Sequence, residues 1–115
     1  MPLEYEGTIS EHLACRTTCA MFDVSHLGTV RLSDSEAADR VHNTLTNDLG
    51  KIEPGRAQYT HLLNLDGGVL DDVIVWWHHS GVIDVMPNAS NTESVRSALG
   101  GDDITTQRAV IAVQG

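Results

Sequence analysis

The stretch from Gln58 to Trp77, QYTHLLNLDGGVLDDVIVWW, limits the possible folds more than any other part of the chain. Two runs rich in β-branched and aromatic residues flank Asp66-Gly67-Gly68. Asp-Gly between such runs is a strong hairpin signal, because glycine reaches positive φ without steric cost. The second run opens with the adjacent carboxylates Asp71 and Asp72. Aspartate is a poor strand former, and neighbouring strand residues point to opposite faces. One of the pair must therefore face outward or bond turn amides, while the other enters whatever lines the opposite face. A carboxylate turned into a pocket is a candidate site residue; two carboxylates that only satisfy backbone amides are the plainer alternative.

The rest of the chain supplies short elements around this hairpin. Thr8 or Ser10 is placed to cap a helix running to about Ala20, with Glu11 in its first turn. His12, Cys15 and Cys19 follow an i, i+3, i+7 stripe on that helix. The stripe could carry three metal ligands, but free cysteine more often serves as a small buried hydrophobe, and the expectation is a buried face. Met21 to Ser33 alternates like a strand. Ser25 and His26 point to opposite faces of that strand, so they do not form a nucleophile–base pair. A helix is expected over Glu36–Leu45, capped by Asp34 or Ser35, followed by a loop from Thr46 to Arg56. His78-His79 close the hairpin at a solvated turn, and Val82–Met86 forms a third strand. Pro87 ends its pairing, and Ser90-x-x-Glu93 reads as a capping box for a helix to Leu99, stopped by Gly100-Gly101. Thr106 to Val113 returns as a strand. Asn88 falls between a strand end and a helix start, where it either caps or positions a ligand. The result is an α+β class fold: a mixed or antiparallel sheet with a central β-hairpin and about three packed helices, within a single partial domain over residues 1–115.

Charge and composition narrow the function. Sixteen acidic against seven basic residues give a net charge of −9, which argues against a nucleic-acid partner. A hydrophobic fraction of 41% is ordinary for a folded chain. No apolar run is long enough to span a membrane, and no signal peptide is recognisable at the start, so the expected location is cytoplasmic. No phosphate loop, dinucleotide fingerprint or Gly-x-Ser-x-Gly elbow occurs.

Several ordered motifs resemble the N-terminal, folate-binding domain of the glycine cleavage system T-protein, the tetrahydrofolate-dependent aminomethyltransferases. They are Met21-Phe22-Asp23-Val24-Ser25-His26-Leu27-Gly28, Leu45-Thr46-Asn47-Asp48, Pro54-Gly55-Arg56-Ala57-Gln58-Tyr59, Gly67-Gly68-Val69-Leu70-Asp71-Asp72-Val73-Ile74-Val75, Pro87-Asn88-Ala89-Ser90-Asn91 and Ala112-Val113-Gln114-Gly115. The resemblance implies transfer of an aminomethyl group from the dihydrolipoyl arm of a lipoylated H-protein to tetrahydrofolate. The products are 5,10-methylenetetrahydrofolate and ammonia, and no metal is required. By position in the motifs, Asp72 is the catalytic residue beside the reactive pterin nitrogens. Asn88 hydrogen-bonds the pterin, and Tyr59 and Leu27 line its pocket. Trp76 stands where relatives often carry tyrosine. Family members are longer and surround the folate with further domains, so this chain alone is expected to bind folate weakly and turn over little. The alternatives are a folate-dependent demethylase, the folate domain of a dimethylglycine- or sarcosine-oxidising enzyme, or a non-catalytic folate-binding module.

Overall fold

The structure is a computed structural model that describes residues 5–115. In chain order its elements are α1 (Thr8–Thr17), β1 (Ala20–Asp23), β2 (Val30–Leu32), α2 (Ala37–Thr44), β3 (Arg56–Leu63), β4 (Val69–Trp77), β5 (Ile83–Met86), α3 (Thr92–Leu99), β6 (Asp102–Asp103) and β7 (Ile111–Gln114). Short 3₁₀ turns lie at Leu49–Lys51, Ala89–Asn91 and Thr105–Gln107. The α+β class with antiparallel pairing is as expected. The chain divides into two compact units, one formed by the residues up to Ser25 together with Arg108–Gly115, the other by His26–Gln107.

The larger unit is a five-stranded sheet in the order β3-β4-β5-β2-β6, antiparallel throughout. Alternation decides its two faces. On β4, Asp71, Val73 and Val75 are buried, whereas Leu70, Asp72, Ile74 and Trp76 are exposed. The buried face packs against α2 through Ala37 and Val41 and against α3 through Val95 and Leu99. Val30, Leu32, Ile83 and Val85 complete this core, each wholly enclosed. The opposite face carries Tyr59, Ile74 and Trp76 into the open.

The β3–β4 turn is held by its own side chain. Asn64 Oδ1 accepts from the backbone N–H of Asp66 (3.0 Å) and Gly68 (2.7 Å), and Gly67 takes φ 82°. The ladder then slips: Leu62 pairs with Asp71 but Leu63 pairs with Val69, so Leu70 is an extra, bulged residue immediately before the two aspartates. Such bulges re-aim the side chains beside them.

One ion pair staples the open face. Arg31 on β2 lies opposite Asp84 on β5, and its guanidinium donates twice, Nε to Oδ1 and Nη2 to Oδ2, both at 2.7 Å. His78 Nε2 sits 2.9 Å from the same Oδ2. The histidine expected to be solvated at a turn is thus tied to a buried carboxylate, while His79 is exposed. Burial pulls the Asp84 carboxyl upward, but the hydrogen bonds and charges of Arg31 and His78 outweigh it and leave it below the usual carboxylate value.

The smaller unit pairs β1 with β7, with Phe22 opposite Ala112, and carries α1. No residue of α1 is buried: Cys15 is half-buried and Cys19 exposed. This corrects the expected buried stripe, since a two-stranded ribbon gives a helix too little apolar surface to pack on. No metal-binding cluster of His, Cys, Asp or Glu is found among the described residues.

Other boundaries also shift. Met21–Ser33 is two strands in different sheets, because the Asp23 side chain accepts from the Ser25 N–H (2.9 Å) and turns the chain there. The Ser25 hydroxyl in turn accepts from Val110 N (2.9 Å), which leaves it paired with backbone rather than with a histidine. Neither α1 nor α3 uses the expected caps. Gly7 and Asn91 stand at the N-cap positions without side-chain cap bonds. Glu93 pairs with Arg96 instead of closing a capping box, because Ser90 sits within the preceding 3₁₀ turn. Asp34 accepts from Glu36 N (3.0 Å) ahead of α2, which starts at Ala37. The final strand is only Ile111–Gln114.

Asp84→Ala is expected to lower unfolding free energy by about 1 kcal/mol at neutral pH, because it removes the shared acceptor of Arg31 and His78, which are themselves about two-fifths exposed and can turn to water. A depressed carboxyl contributes fully above its unfolded value, near pH 4, and the contribution is lost as pH falls through its lower folded value. Urea titrations at pH 7 and pH 3 should therefore show the wild-type advantage over Asp84→Ala shrinking at the lower pH.

Candidate functional site

The two aspartates divide by strand parity. Asp71 shares the parity of Val73 and Val75 and is 4% exposed, while Asp72 lies on the open face. Asp71 does not stand alone in the core edge. Its Oδ2 accepts from the Asn88 backbone N–H (3.0 Å). Its Oδ1 accepts from Asn88 Nδ2 (2.8 Å) and Asn91 Nδ2 (2.8 Å). The carboxylate thus fastens the Pro87–Asn91 segment to β4, the second strand of the hairpin. Asp71, not Asp72, is the enclosed member of the pair, while Asp72 lies on the open face rather than inside a pocket.

Asp72 is held from two sides. Tyr59 donates its O–H to Oδ2 at 3.1 Å, and Asn88 Nδ2 donates to Oδ1 at 3.1 Å and to the backbone carbonyl of Asp72 at 3.3 Å. Register explains the Tyr59 contact: His61 lies directly opposite Asp72, and Tyr59 is its diagonal neighbour on the same face. His61 meets the Tyr59 ring edge-on, with centroids 5.1 Å apart. Desolvation, then the hydrogen bond and negative charge of Asp72, raise the Tyr59 phenol above its ordinary value, so it stays a donor.

Three of the five residues singled out from the sequence, Asp72, Tyr59 and Asn88, are therefore joined by hydrogen bonds. Trp76 lies on the same strand face, beyond Ile74, and is 41% exposed. It also lines a separate open concavity of about 350 Å³ with Arg56, His78 and His79, which lies further along β4 and holds none of the aspartates. Leu27 is half-buried. Its neighbour Gly28 is packed so closely that a Cβ would fall 2.1 Å from Thr92 Oγ1 and 2.9 Å from Pro87 Cγ. That approach places Leu27 near the residue preceding Asn88.

The sequence alone leaves open which of Asp71 and Asp72 is enclosed, and it assigns no role to Asn91 or His61. Parity with Val73 and Val75 carried the signal for Asp71. His61 follows from hairpin register once the bulge at Leu70 is known, and the bulge has no clear sequence mark.

Chemically, the open face offers acceptors beside flat apolar and aromatic surface. Asp72 presents two partly used oxygens, and Ile74 and Trp76 beside it supply exposed apolar and aromatic surface. This suits a planar ligand with a polar edge.

Comparison with known proteins identifies the class. The family model described as the GCVT N-terminal domain matches residues 1–115. The chain belongs to this family. It is 48% identical over 123 residues to the aminomethyltransferases of Mycobacterium bovis and Mycobacterium tuberculosis, covering 100% of this chain and 34% of each relative. The aminomethyltransferase of a Parafrankia strain is 42% identical over 125 residues. Among solved structures, the glycine cleavage system aminomethyltransferase T from Bartonella henselae superposes with a TM-score of 0.81 at 27% identity, over all of this chain and 34% of that one. The chain thus spans about a third of the length of the curated relatives it matches. No helix among the described residues is long and apolar enough to cross a membrane.

The two aspartates should separate cleanly in stability. Asp71→Ala is expected to cost about 1–3 kcal/mol in urea unfolding, since it orphans amides at a buried position. Asp72→Ala should stay within about 1 kcal/mol, because its partners can turn to water.

Proposed function

We propose that this chain forms the pterin-contacting part of a tetrahydrofolate-dependent aminomethyltransferase of glycine cleavage. The reaction takes the aminomethyl group carried on the dihydrolipoyl arm of a lipoylated H-protein, in the cytoplasm. It yields 5,10-methylenetetrahydrofolate and ammonia. What supports the reading most is one constellation: Asp72, bonded by Tyr59 and Asn88, on an open sheet face flanked by Ile74 and Trp76.

The residues fit the group. A reduced pterin is flat, with N–H donors along its edge, and the site offers carboxylate and amide acceptors beside apolar surface. Tetrahydrofolate supplies the amine nitrogens that take up the one-carbon unit. Asp72 accepts hydrogen bonds from those amines and can hold or release a proton there. Its negative charge also offsets positive charge developing at the transferred carbon. Tyr59 fixes the carboxylate's rotamer, and its raised proton affinity keeps that hydrogen bond in place through neutral and mildly basic pH. Asn88 binds the polar edge of the ligand. Trp76 and Leu27 provide wall rather than chemistry. No metal enters the reading. The relatives that carry the family name are about three times as long as this chain, so the chain alone should bind weakly and transfer little.

Calorimetric titration of tetrahydrofolate into the chain and its variants tests the assignment. Asn88→Ala should weaken binding about tenfold or more, the scale of a lost, well-placed hydrogen bond. Asp72→Ala should largely keep binding, while the matching substitution in a full-length relative should abolish transfer. Identical behaviour of wild type and both variants would remove these roles.

A further inference from the structure

We propose that Asp71 is a positioning residue that fixes the polarity of the Asn88 amide, so that the Asp72–Tyr59–Asn88 group offers only acceptors to its ligand and favours a ligand edge made of N–H donors. The inference deepens the folate reading above and rests on it for the identity of the ligand.

A free asparagine amide can present either its carbonyl oxygen or its NH₂ group by rotating half a turn. At Asn88 that freedom is gone. The backbone N–H and Nδ2 both reach the Asp71 carboxylate, at 3.0 and 2.8 Å, while Nδ2 also meets Asp72 Oδ1 at 3.1 Å. Carboxylate oxygens accept and cannot donate. Turning the amide over would set its carbonyl oxygen against two negatively charged groups. The assignment of N and O at this side chain is therefore dictated by its neighbours. Because Asp71 is buried, water cannot readily replace the NH₂ group as its partner.

The consequence lies in what is left over. Asn88 is exposed, and its Oδ1 takes part in no hydrogen bond among the described residues. The Asp72 oxygens accept from Tyr59 and Asn88 and keep further lone pairs. Tyr59, which could have donated to a ligand, has its proton committed to Asp72. All remaining polar capacity of this group is acceptor capacity. A reduced pterin carries N–H at both ring nitrogens of its saturated half, whereas the fully oxidised ring presents lone pairs there. Lone pairs facing acceptors are repelled, which disfavours the oxidised ring at this group. Asp71 touches no ligand in this scheme and acts only through Asn88.

Two measurements test it. The first needs no ligand: NMR exchange of the Asn88 side-chain NH₂ against that of the exposed Asn43. Asn88 should exchange about tenfold more slowly, the scale of one hydrogen bond, and in Asp71→Asn, where Asp72 remains as a partner, the difference should shrink by at least about threefold. The second is the ratio of affinities for tetrahydrofolate and folic acid, with folding of the variant checked by circular dichroism. Wild type should favour tetrahydrofolate by at least about tenfold. In Asp71→Asn, where position 71 can donate and the Asn88 amide can turn over, the preference should fall below about threefold. A purely structural role for Asp71 would weaken both ligands alike and leave the ratio unchanged, which overturns the proposal. Equal exchange of Asn88 and Asn43 in wild type also overturns it, whether or not the variant folds. Failure of wild type to bind either compound defeats the folate reading instead, and the exchange comparison still decides the role of Asp71.

Discussion

A single buried carboxylate joins the two parts of this fold that matter for its chemistry. Asp71 belongs by parity to the core face of β4, yet it spends its hydrogen-bonding capacity on Asn88 and Asn91, which lie beyond the end of β5. A buried charge is tolerable only when its lone pairs are filled, and here three amide N–H bonds fill them. The arrangement sets the path of the chain between β5 and α3. It also brings Asn88 across to Asp72. Were residue 71 an ordinary strand hydrophobe, the core would lose little apolar packing, but the segment that completes the site would have nothing to hold it.

The sheet is asymmetric for a related reason. One face is closed by α2 and α3 over Val30, Leu32, Val73, Val75 and Val85. The other keeps Tyr59, Ile74 and Trp76 exposed beside Asp72. Exposed aromatic and β-branched side chains on one face mark a surface that receives something flat or apolar. The Arg31–Asp84–His78 cluster breaks up that surface near β2, and its bidentate geometry stiffens the side of the sheet farthest from the hairpin turn.

Much of this could be read from residues alone, and the parts that could not have physical causes. The hairpin was legible because Asp66-Gly67 and the flanking β-branched runs agree with each other. The short helices were legible in existence but not at their ends. Ser90 and Glu93 have capping-box spacing, yet a 3₁₀ turn at Ala89–Asn91 takes Ser90 out of the N-cap position. Met21–Ser33 alternates like one strand, but a local Asx bond at Asp23 interrupts it, and such bonds leave no periodicity to detect. The trio Asp72, Tyr59 and Asn88 came from motif resemblance rather than pattern. Asp71 was readable in principle from its parity with Val73 and Val75, but its partners lie 17 and 20 residues away, beyond the reach of local spacing. The exposure of α1 was not readable, because a helix's amphipathic stripe does not say what is present to cover it.

The turn at Asn64–Gly68 closes on itself, since Asn64 satisfies the amides of Asp66 and Gly68 without help from the rest of the molecule. Leu65 at its tip is completely solvated and packs on nothing. That loop end is therefore a handle: a fluorophore introduced there by non-cysteine chemistry, which spares Cys15 and Cys19, would ride on the ribbon bearing Asp72 and report on the site without occupying it.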